Sequence, residues 1–314
     1  VHICDQANAV YLPYLRGKPH LVTCHDMLAI RAALGEISEF AVGLTGRIYQ
    51  RWVLRSLRKA QAVVCVSHQT ADELQRVTAI PANRITVVLN ALNYPYRPMP
   101  AAEANPHLHA LSLNADLGFF LHVGGNQWYK NRPGALRLFA ELMHRPAYCN
   151  HRLVMAGKPW TDEMHRLAAC LKLGGRVVEL VEVSNEQLCA LYSKAEALLF
   201  PSLEEGFGWP IAEAQACGCP VVTTNRAPMN KVGGSAAIYI DPADPSGAAD
   251  AIILALAQRE RLCIAGQKNA ERFSTRAMME RYLRCYSYAL QAAGFYPVSK
   301  DGFGTAEHSS ADGE

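Results

Sequence analysis

Long apolar runs are missing from this sequence. Nowhere do its 314 residues approach the roughly 20 consecutive apolar residues that a membrane-spanning helix requires. A secretory signal is absent as well. Ten cysteines are scattered along the chain, and cysteines without a secretory signal favour a reducing compartment. The sequence therefore predicts a soluble, cytoplasmic protein.

The sequence also lacks the dense basic stripe that nucleic-acid binding requires. Lys and Arg number 31 against 28 Asp and Glu, which gives a net charge of +3. One basic cluster exists, and its spacing puts the arginines along one helix face. Two readings stay open: a solvated face, or contact with an anionic acceptor or the inner surface of a membrane. The cluster consists of Arg47, Arg51, Arg55, Arg58 and Lys59.

Metal and dinucleotide motifs are missing too. Cys217-Gly218-Cys219 has the wrong spacing for a Cys-x2-Cys zinc site and has no second pair nearby. Gly124-Gly125-Asn126 lacks the third spaced glycine of a dinucleotide fingerprint, which argues against a nicotinamide dehydrogenase. We expect no metal and no cofactor.

Short apolar segments alternate with helical patterns in two series, which predicts two α/β domains with parallel sheets. The second series runs from Phe119 to about Ile240 and is followed by a helix over 245–256. In the first series, strands are expected at 19–24, 62–66 and 85–89, and helices at 44–57 and 69–77.

A breaker-rich stretch over 93–100 and a polar, helix-poor passage to Asp116 predict the linker between the two series. An amphipathic helix is expected over about 275–292. We therefore expect a first domain with linker over 1–115, a second domain over 116–274, a C-terminal helix segment over 275–296 and a disordered tail over 297–314.

The most informative segment runs from Glu205 to Glu213. It follows the apolar strand-like run 197–201 and contains the Gly-x-Gly bend Gly206-Phe207-Gly208. A strand, a glycine-bearing turn and a helix are typical of a ligand-binding edge in an α/β sheet. The two carboxylates and the bend indicate a site for a polyhydroxylated, phosphorylated ligand.

Each residue type in this segment has a physical reason. Pro210 suits the first helical position, which puts Glu213 in the first turn, beside N–H groups that attract phosphate. The carboxylate of Glu213 can accept two hydrogen bonds from the vicinal hydroxyls of a ribose. The structural alternative is that a glutamate in a first turn is favoured by the helix dipole in any protein.

Glu205 to Glu213, with the following residues to Thr223, resembles the E-x7-E segment of retaining glycosyltransferases of family 4. The resemblance extends from about Val1 to about Leu290, in an ordered set of motifs. These are Val22–Asp26 and Val64–Ser67 at strand ends of the acceptor domain, Phe120–Arg132 with the family's lysine loop, Leu153–Lys158, and Val181–Tyr192 with the "V-S-x-E-x-L-x-x-L-Y" pattern.

This resemblance implies the GT-B fold, with two Rossmann-like domains facing across a cleft and a terminal helix that packs back across it. Members of the family begin with a further βαβ stretch that carries a glycine-rich loop, whereas this sequence starts at Val1-His2-Ile3. We therefore expect an incomplete N-terminal domain, from a fragment or a natural truncation, which puts independent catalytic competence in doubt.

The family's activity implies that this chain transfers a hexose, of the mannose or glucose type, from a nucleotide-diphosphate sugar to a glycan or lipid-linked acceptor with retention. Lys130 matches the lysine on the donor diphosphate, Glu213 the ribose carboxylate, and Val183 the position that reads the base. Glu205 matches the group on the donor hexose. The full implied donor set is Gly124, Gly125, Asn126, Lys130, Gly157, Val183, Glu205, Gly206, Phe207, Gly208 and Glu213, with His25, Lys130 and Glu205 as catalytic residues.

Two of these assignments have local alternatives. His25 matches a histidine beside the reaction centre, although a lone histidine after a strand is more often structural, and Asp26 could equally cap the following helix. Lys231 and Ser235 stand where relatives carry acids around a Val-Gly-Gly turn, and nothing in the sequence explains that exchange.

Other functions stay open. Two carboxylates are also the machinery of glycoside hydrolysis, but one of them is assigned to a ribose, and no nucleophile stands out on the other face of the sugar. A sugar-nucleotide epimerase of the same architecture would bind the same diphosphate without an acceptor. A catalytically impaired module that only binds nucleotide sugar is the third reading.

Overall fold

Two parallel sheets organise this protein, in agreement with the two predicted series. The computed structural model describes residues 1–114 and 116–294. The predicted tail over 297–314 lies outside the described residues. The predicted boundaries at 115, 274 and 296 stay predictions.

The first sheet has four parallel strands in the order β1-β2-β3-β4. Its two central strands are buried on both faces, as expected of apolar strands covered by helices on either side. In their register Leu21 lies opposite Ala62 and Cys24 opposite Cys65. The strands are β1 (His2–Ile3), β2 (Leu21–Cys24), β3 (Ala62–Cys65) and β4 (Ile85–Val87).

Three helices and two 3-10 helices belong to this sheet. Ser67 caps the third helix by accepting a hydrogen bond from the Thr70 N–H at 3.1 Å. The helices are α1 (Leu28–Ala33), α2 (Leu44–Leu57) and α3 (His68–Thr78), and the 3-10 helices are Gln6–Tyr14 and Ala82–Arg84. The helices predicted at 44–57 and 69–77 are thereby confirmed, the second to within one residue at each end.

The passage expected to be helix-poor contains the helix α4 (Ala101–Ala110), so that expectation is wrong. Alanine and glutamate form helices readily, and they open this segment directly after Pro100. Ala104 and Leu108, four residues apart, are buried on one face. That face packs on the helix Asn185–Lys194 of the second domain.

The second sheet has six parallel strands, and the strand order reverses direction beside β5. The order is β10-β9-β8-β5-β6-β7. A reversal of this kind leaves a crevice at the carboxyl ends of the strands, where α/β proteins bind ligands. The strands are β5 (Phe119–Gly124), β6 (Arg152–Gly157), β7 (Val177–Val181), β8 (Leu198–Phe200), β9 (Val221–Thr224) and β10 (Ala237–Ile240).

Helices cover both faces of this sheet. Consecutive residues of β5 point to opposite faces, so that Phe120 packs with Phe139 on one side and Leu121 packs with Phe200 on the other. The helices are α5 (Arg132–Met143), α6 (Asp162–Cys170), α7 (Asn185–Lys194), α8 (Trp209–Ala216), α9 (Met229–Gly233), α10 (Pro245–Leu256) and α11 (Arg259–Ala270), with 3-10 helices at Trp128–Lys130, Gly234–Ala236 and Glu271–Phe273.

The last helix, α12 (Thr275–Ala292), returns to the first sheet. Cys285 is buried against Leu21 and Val64. The Tyr282 hydroxyl lies 2.9 Å from Thr23 Oγ1. The predicted helix and its return to the first domain are therefore both confirmed, and α12 ties the two domains together.

Gly157 ends β6 in a conformation that side chains rarely adopt, with φ of +150°. A Cβ on this residue would lie 2.0 Å from the carbonyl oxygen of Gly124, at the end of the neighbouring strand. Only glycine lets these two strand ends approach so closely.

We predict that Gly157→Ala lowers the free energy of unfolding by about 3 kcal/mol, because the methyl group collides with backbone and the φ is strained. Urea unfolding measures the change. Gly174→Ala is the matched control, since its Cβ would meet no atom within 4 Å. Equal stability of the two variants would contradict the close approach.

Candidate active site

The loops after β5 and β6 form one wall of the candidate site. Gly124 and Gly157 end the two strands side by side. The side chain of Asn126, in the first loop, donates to the Pro159 carbonyl at 2.8 Å and accepts from the Arg132 guanidinium. Asn126 therefore holds the two loops together, and its polar atoms are occupied by protein.

Lys130 lies at the end of the 3-10 helix Trp128–Lys130. Its ammonium donates to both oxygens of Glu205, at 2.8 and 3.0 Å. The same ammonium lies 5.6 Å from the ring centre of Tyr129 and 5.3 Å from that of Phe200. Aromatic faces favour a cation at this distance. Lys130 is thus a positive charge held in place from three sides.

Glu205 occupies the loop between β8 and α8, as predicted. This loop is bound to the lysine loop through the Leu203 N–H, which donates to the Tyr129 carbonyl at 2.8 Å. Burial raises the pKa of Glu205, and the Lys130 charge and hydrogen bonds act against that rise. The two residues predicted to face the donor are therefore brought together in one ion pair.

Glu213 does not fall in the first helical turn, and this corrects the prediction. The helix begins at Trp209, so Pro210 is its second residue and Glu213 its fifth. Gly208, with φ of +98°, is the N-cap and sets the earlier start. The helix dipole consequently favours Glu213 less than expected.

Burial is what sets the chemistry of Glu213. Its exposed fraction is only 6%, and one of its oxygens accepts from the Tyr192 hydroxyl of α7 at 2.8 Å. Burial raises the pKa of Glu213 to about 7, although Tyr192 and Lys130 both act to lower it. Glu213 therefore changes charge near neutral pH.

The aromatic residues of the motif fix its position against the rest of the protein. Phe207 is buried and packs edge-on against Phe273. The indole N–H of Trp209 donates to the Ala91 carbonyl at 3.0 Å. Val183 is partly buried and packs on the same core cluster. These contacts orient the Gly-x-Gly bend.

His25 follows β2 and faces the second domain through its backbone. Its N–H donates to the Gln6 side chain at 2.9 Å. A Cβ on Gly206 would lie 2.1 Å from the His25 carbonyl oxygen. Gly206 is therefore one position where the two domains touch, and the requirement for glycine there is steric.

The imidazole of His25 is turned toward the first domain. Its Nε2 lies 2.8 Å from the Cys4 carbonyl oxygen, whereas Lys130 and Glu205 bind each other. The carboxylate of Asp26 accepts from the Leu28 N–H at 2.9 Å, at the start of α1. The N-cap residue of α1 is Met27, so Asp26 binds the first helical N–H from one position before the N-cap rather than as the predicted cap.

Two buried polar residues, His122 and Arg132, were given no firm role from the sequence. His122 is fully buried in β5, and its Nδ1 lies 2.9 Å from the Leu199 carbonyl oxygen. Burial lowers the pKa of His122 to about 4, so its imidazole is neutral. Arg132 is 2% exposed and donates to the Lys158 carbonyl at 2.9 Å. The histidine inside the apolar run Phe119–Val123 is the sequence signal that could have identified a buried polar group in this strand.

Within residues 1–114 and 116–294, no three His, Cys, Asp or Glu side chains gather as they would around a metal ion. No helix in this described part combines the length and apolar content needed to cross a membrane. Lys231 stands where relatives were expected to carry an acid. It is exposed on α9, and its carbonyl accepts a hydrogen bond from Arg272.

With this geometry in place, the family of the chain can be stated. The family model described as "Glycosyl transferases group 1" matches residues 108–277, and the model described as "Glycosyltransferase Family 4" matches residues 1–94. Together with the two parallel α/β domains, these matches define the class. This chain belongs to the group 1 glycosyltransferases of family 4, which have the GT-B fold.

Curated relatives agree with this assignment. O-antigen chain mannosyltransferase B of Escherichia coli is 30% identical over 269 residues, which cover 84% of this chain and 68% of the relative. O-antigen chain mannosyltransferase RfbU of Salmonella typhimurium is 26% identical over 63% of this chain and 52% of its own length. The D-inositol 3-phosphate glycosyltransferase of Rhodococcus opacus is 28% identical over 87% of this chain and 63% of its own length.

Solved structures agree on the fold. Sucrose-phosphate synthase from Thermosynechococcus elongatus superposes with a TM-score of 0.74 at 22% identity, over 93% of this chain and 73% of that one. Anabaena Alr3699/HepE in complex with UDP and glucose superposes with a TM-score of 0.73 at 16% identity, over 90% of this chain and 75% of that one.

The raised pKa of Glu213 predicts a specific dependence of stability on pH. An acid whose pKa rises from 4.5 to about 7 on folding stabilises the protein below pH 4.5 and loses that contribution as pH rises to about 7. We predict that Glu213→Gln removes a decline of about 3 kcal/mol over this interval. Urea unfolding at several pH values measures it, with the exposed Glu163→Gln as control. Parallel pH profiles for the parent protein and Glu213→Gln would refute the shift.

Proposed function

We propose that this chain is a retaining hexosyltransferase. It takes a mannose- or glucose-type sugar from a nucleotide-diphosphate donor and passes it to a glycan or lipid-linked acceptor. The observation that carries the proposal is the Lys130–Glu205 pair at the crevice of the second sheet. Relatives named as mannosyltransferases, and a structural neighbour bound to UDP and glucose, support the substrate class.

The donor's charges and hydroxyls suit the residues around the pair. Its diphosphate is an anion that lies beside the Lys130 ammonium, where Gly124 and Gly125 leave room for it. Its sugar offers hydroxyls to Glu205, whose carboxylate oxygens can accept further hydrogen bonds beside the Lys130 ammonium. Its ribose diol binds the second carboxylate, Glu213, whose other neighbour is the Tyr192 hydroxyl. The base lies against the main chain at Val183.

The chemistry follows from these charges. Breaking the bond between sugar and diphosphate leaves negative charge on the phosphate oxygens, and Lys130 stabilises that charge where it develops. The leaving phosphate takes the proton of the acceptor hydroxyl on the same face of the sugar, so the anomeric configuration is retained. His25, at the end of β2, belongs to the acceptor side of this reaction. No metal is required by this scheme.

We predict that a nucleotide sugar from the UDP, GDP or ADP series raises the melting temperature of the parent protein by several degrees. A ligand at 100 times its dissociation constant contributes about 2.7 kcal/mol to folding. Glu213→Ala and Lys130→Ala are expected to abolish the shift, because they remove the ribose and phosphate contacts. Thermal-shift measurement tests this, with Lys268→Ala, which removes an exposed charge from α11, as control.

The donor assignment fails if no nucleotide sugar shifts the parent protein, or if Glu213→Ala responds as the parent does. Where binding is observed, a radiolabelled donor distinguishes the activities. Incorporation of the label into an acceptor identifies a transferase. If NMR shows that the product has the same anomeric configuration as the donor, the transferase is retaining. A rearranged nucleotide sugar identifies an epimerase, and binding without turnover identifies an impaired module.

We further propose peripheral contact with the inner face of a membrane, in the cytoplasm, through α2. Leu44, Ile48 and Trp52 recur every four residues along this helix and are exposed. Arg47 and Arg51 form a second exposed stripe beside them, with Arg55 as its next member. Adjacent apolar and basic stripes suit an anionic lipid surface, and α2 contains no acidic residue.

Arg58, the C-cap residue of α2, is held against α3. Its guanidinium donates to the Thr78 carbonyl at 3.1 Å, at the end of α3, and so satisfies a carbonyl at a helix C-terminus. Arg47 donates in the same way to the Val42 carbonyl, at 3.1 Å, and all four arginines of the predicted stripe are exposed.

We predict that the protein sediments with vesicles containing phosphatidylserine or phosphatidylglycerol and remains in the supernatant with phosphatidylcholine alone. The double change Arg47→Gln, Arg51→Gln is expected to weaken binding about 30-fold, since each arginine near the surface contributes about 1 kcal/mol. The control exchanges two exposed arginines of the second domain, Arg137→Gln and Arg166→Gln. Equal sedimentation of the parent and both variants would refute the assigned surface.

A further inference from the structure

A cluster of charged residues crosses the cleft between the two domains beside the proposed donor site. Arg31, on α1, donates to Glu73 of α3 at 2.8 Å within the first domain. Its guanidinium also binds both oxygens of Glu204, at 3.0 and 3.2 Å. Glu204 belongs to the second domain and directly precedes Glu205. One side chain therefore links the first domain to the loop of the sugar-facing carboxylate.

The geometry of this link favours a strong interaction. Two parallel N–H to oxygen bonds fix the relative orientation of the guanidinium and the carboxylate. The side chains of Arg31 and Glu204 are 16% and 28% exposed, so salt screens this pair less than a fully exposed one.

The backbone near Glu204 also contacts the first domain across the cleft. The Thr70 hydroxyl of α3 donates to the Gly206 carbonyl at 3.3 Å, and Gly206 packs directly on the His25 carbonyl. A cavity of about 270 Å³ lies between these contacts, lined among others by Asp26, Arg31, Glu205 and Arg226. The loop 203–206 is thus held from the first domain on both sides of Glu205.

We propose that Arg31 is a positioning residue, which couples closure of the two domains to the placement of the Glu205 carboxylate. When Arg31 binds Glu204, the adjacent Glu205 is fixed opposite Lys130. When the domains separate, the link breaks and the loop is released. Displacements near 1 Å are enough to weaken contacts at a reacting centre. The sugar part of this inference rests on the proposed donor function, whereas the mechanical link does not.

The rest of the cluster supplies an internal control. Arg76 binds Glu36 at 2.6 Å, and both residues lie in the first domain. Arg76→Ala removes a guanidinium from the same cluster and leaves the Arg31–Glu204 contact in place, although its partner Glu36 also accepts from Arg31 Nε at 3.4 Å. A general loss of charge would affect Arg76→Ala and Arg31→Ala alike, whereas a link across the cleft affects Arg31→Ala alone.

The first measurement is hydrogen exchange of the amides in residues 203–206, which needs no substrate. Arg31→Ala is expected to speed their exchange at least about fivefold, the lower end of typical coupling between sites. Arg31→Lys restores part of the protection, since lysine keeps the charge but not the bidentate geometry. Arg76→Ala leaves it unchanged. If Arg31→Ala exchanges like the parent protein, the proposed link is wrong.

The second measurement compares the affinities of UDP-glucose and UDP, or of the pair whose base gives the larger thermal shift. Arg31→Ala is expected to weaken the nucleotide sugar about fivefold or more while leaving the nucleoside diphosphate within twofold, because only the sugar contacts Glu205. Equal losses for both ligands would overturn the positioning role. If the parent protein binds neither, the donor assignment fails, and hydrogen exchange still decides the link.

Glu204→Gln tests the same link from the other side of the cleft and guards against misfolding of Arg31→Ala. It is expected to speed exchange to a similar extent. The double variant Arg31→Ala, Glu204→Gln is expected to speed exchange in residues 203–206 no more than Arg31→Ala alone, since both changes break the Arg31–Glu204 contact. Additive effects of the two changes would contradict a direct pairing.

Discussion

The Lys130–Glu205 ion pair is the interaction around which the second domain's crevice is organised. Both side chains are largely buried, at 16% and 7% exposure, and a buried charge without its partner costs about 3 to 5 kcal/mol. The lysine loop and the loop between β8 and α8 must therefore hold the Lys130 ammonium and the Glu205 carboxylate within ion-pair distance of each other. The Leu203 to Tyr129 backbone bond and the aromatic faces around the ammonium serve that requirement.

A second constraint on the site is the need for glycine at two positions near the Lys130–Glu205 pair, where the backbone of another segment lies too close for a Cβ. Gly157 permits the ends of β5 and β6 to meet, and Gly206 permits the loop of Glu205 to rest on the His25 carbonyl. The first approach shapes the wall beside the proposed diphosphate position. The second approach joins the domains, so the loop that holds Glu205 also contacts the first domain.

Local sequence patterns predicted those parts of the molecule that depend on local physics. The bounds of α2 and α12 follow from amphipathic periodicity. The assignment of Lys130 and Glu205 to one donor site came from the family resemblance, and the structure pairs the two side chains. The start of α8 was missed by one residue, because the left-handed conformation of Gly208 set it rather than the proline. The helix α4 was missed because its burial depends on a partner in another domain.

Contacts between distant parts of the chain could not be predicted in this way. Nothing in the sequence near Arg31 distinguishes Glu204 from any other exposed glutamate, since the pairing exists only when the domains are adjacent. The same is true of Tyr192, which becomes a partner of Glu213 only because α7 packs beside α8. Tertiary packing therefore decides which charges meet, even where the sequence identifies the charges themselves.

The two glutamates of the motif differ because of their neighbours. Burial raises the pKa of both carboxyls. The Lys130 ammonium opposes this rise at Glu205, and the Tyr192 hydroxyl opposes it at Glu213, whose pKa still reaches about 7. Unequal carboxylates also occur in glycosidases, where both must reach one glycosidic bond. Here Glu213 lies within a helix and is bound to α7, whereas Glu205 lies in a loop and is bound to the lysine loop. Anchored to different elements, they suit two separate parts of one extended donor, and this favours transfer over hydrolysis.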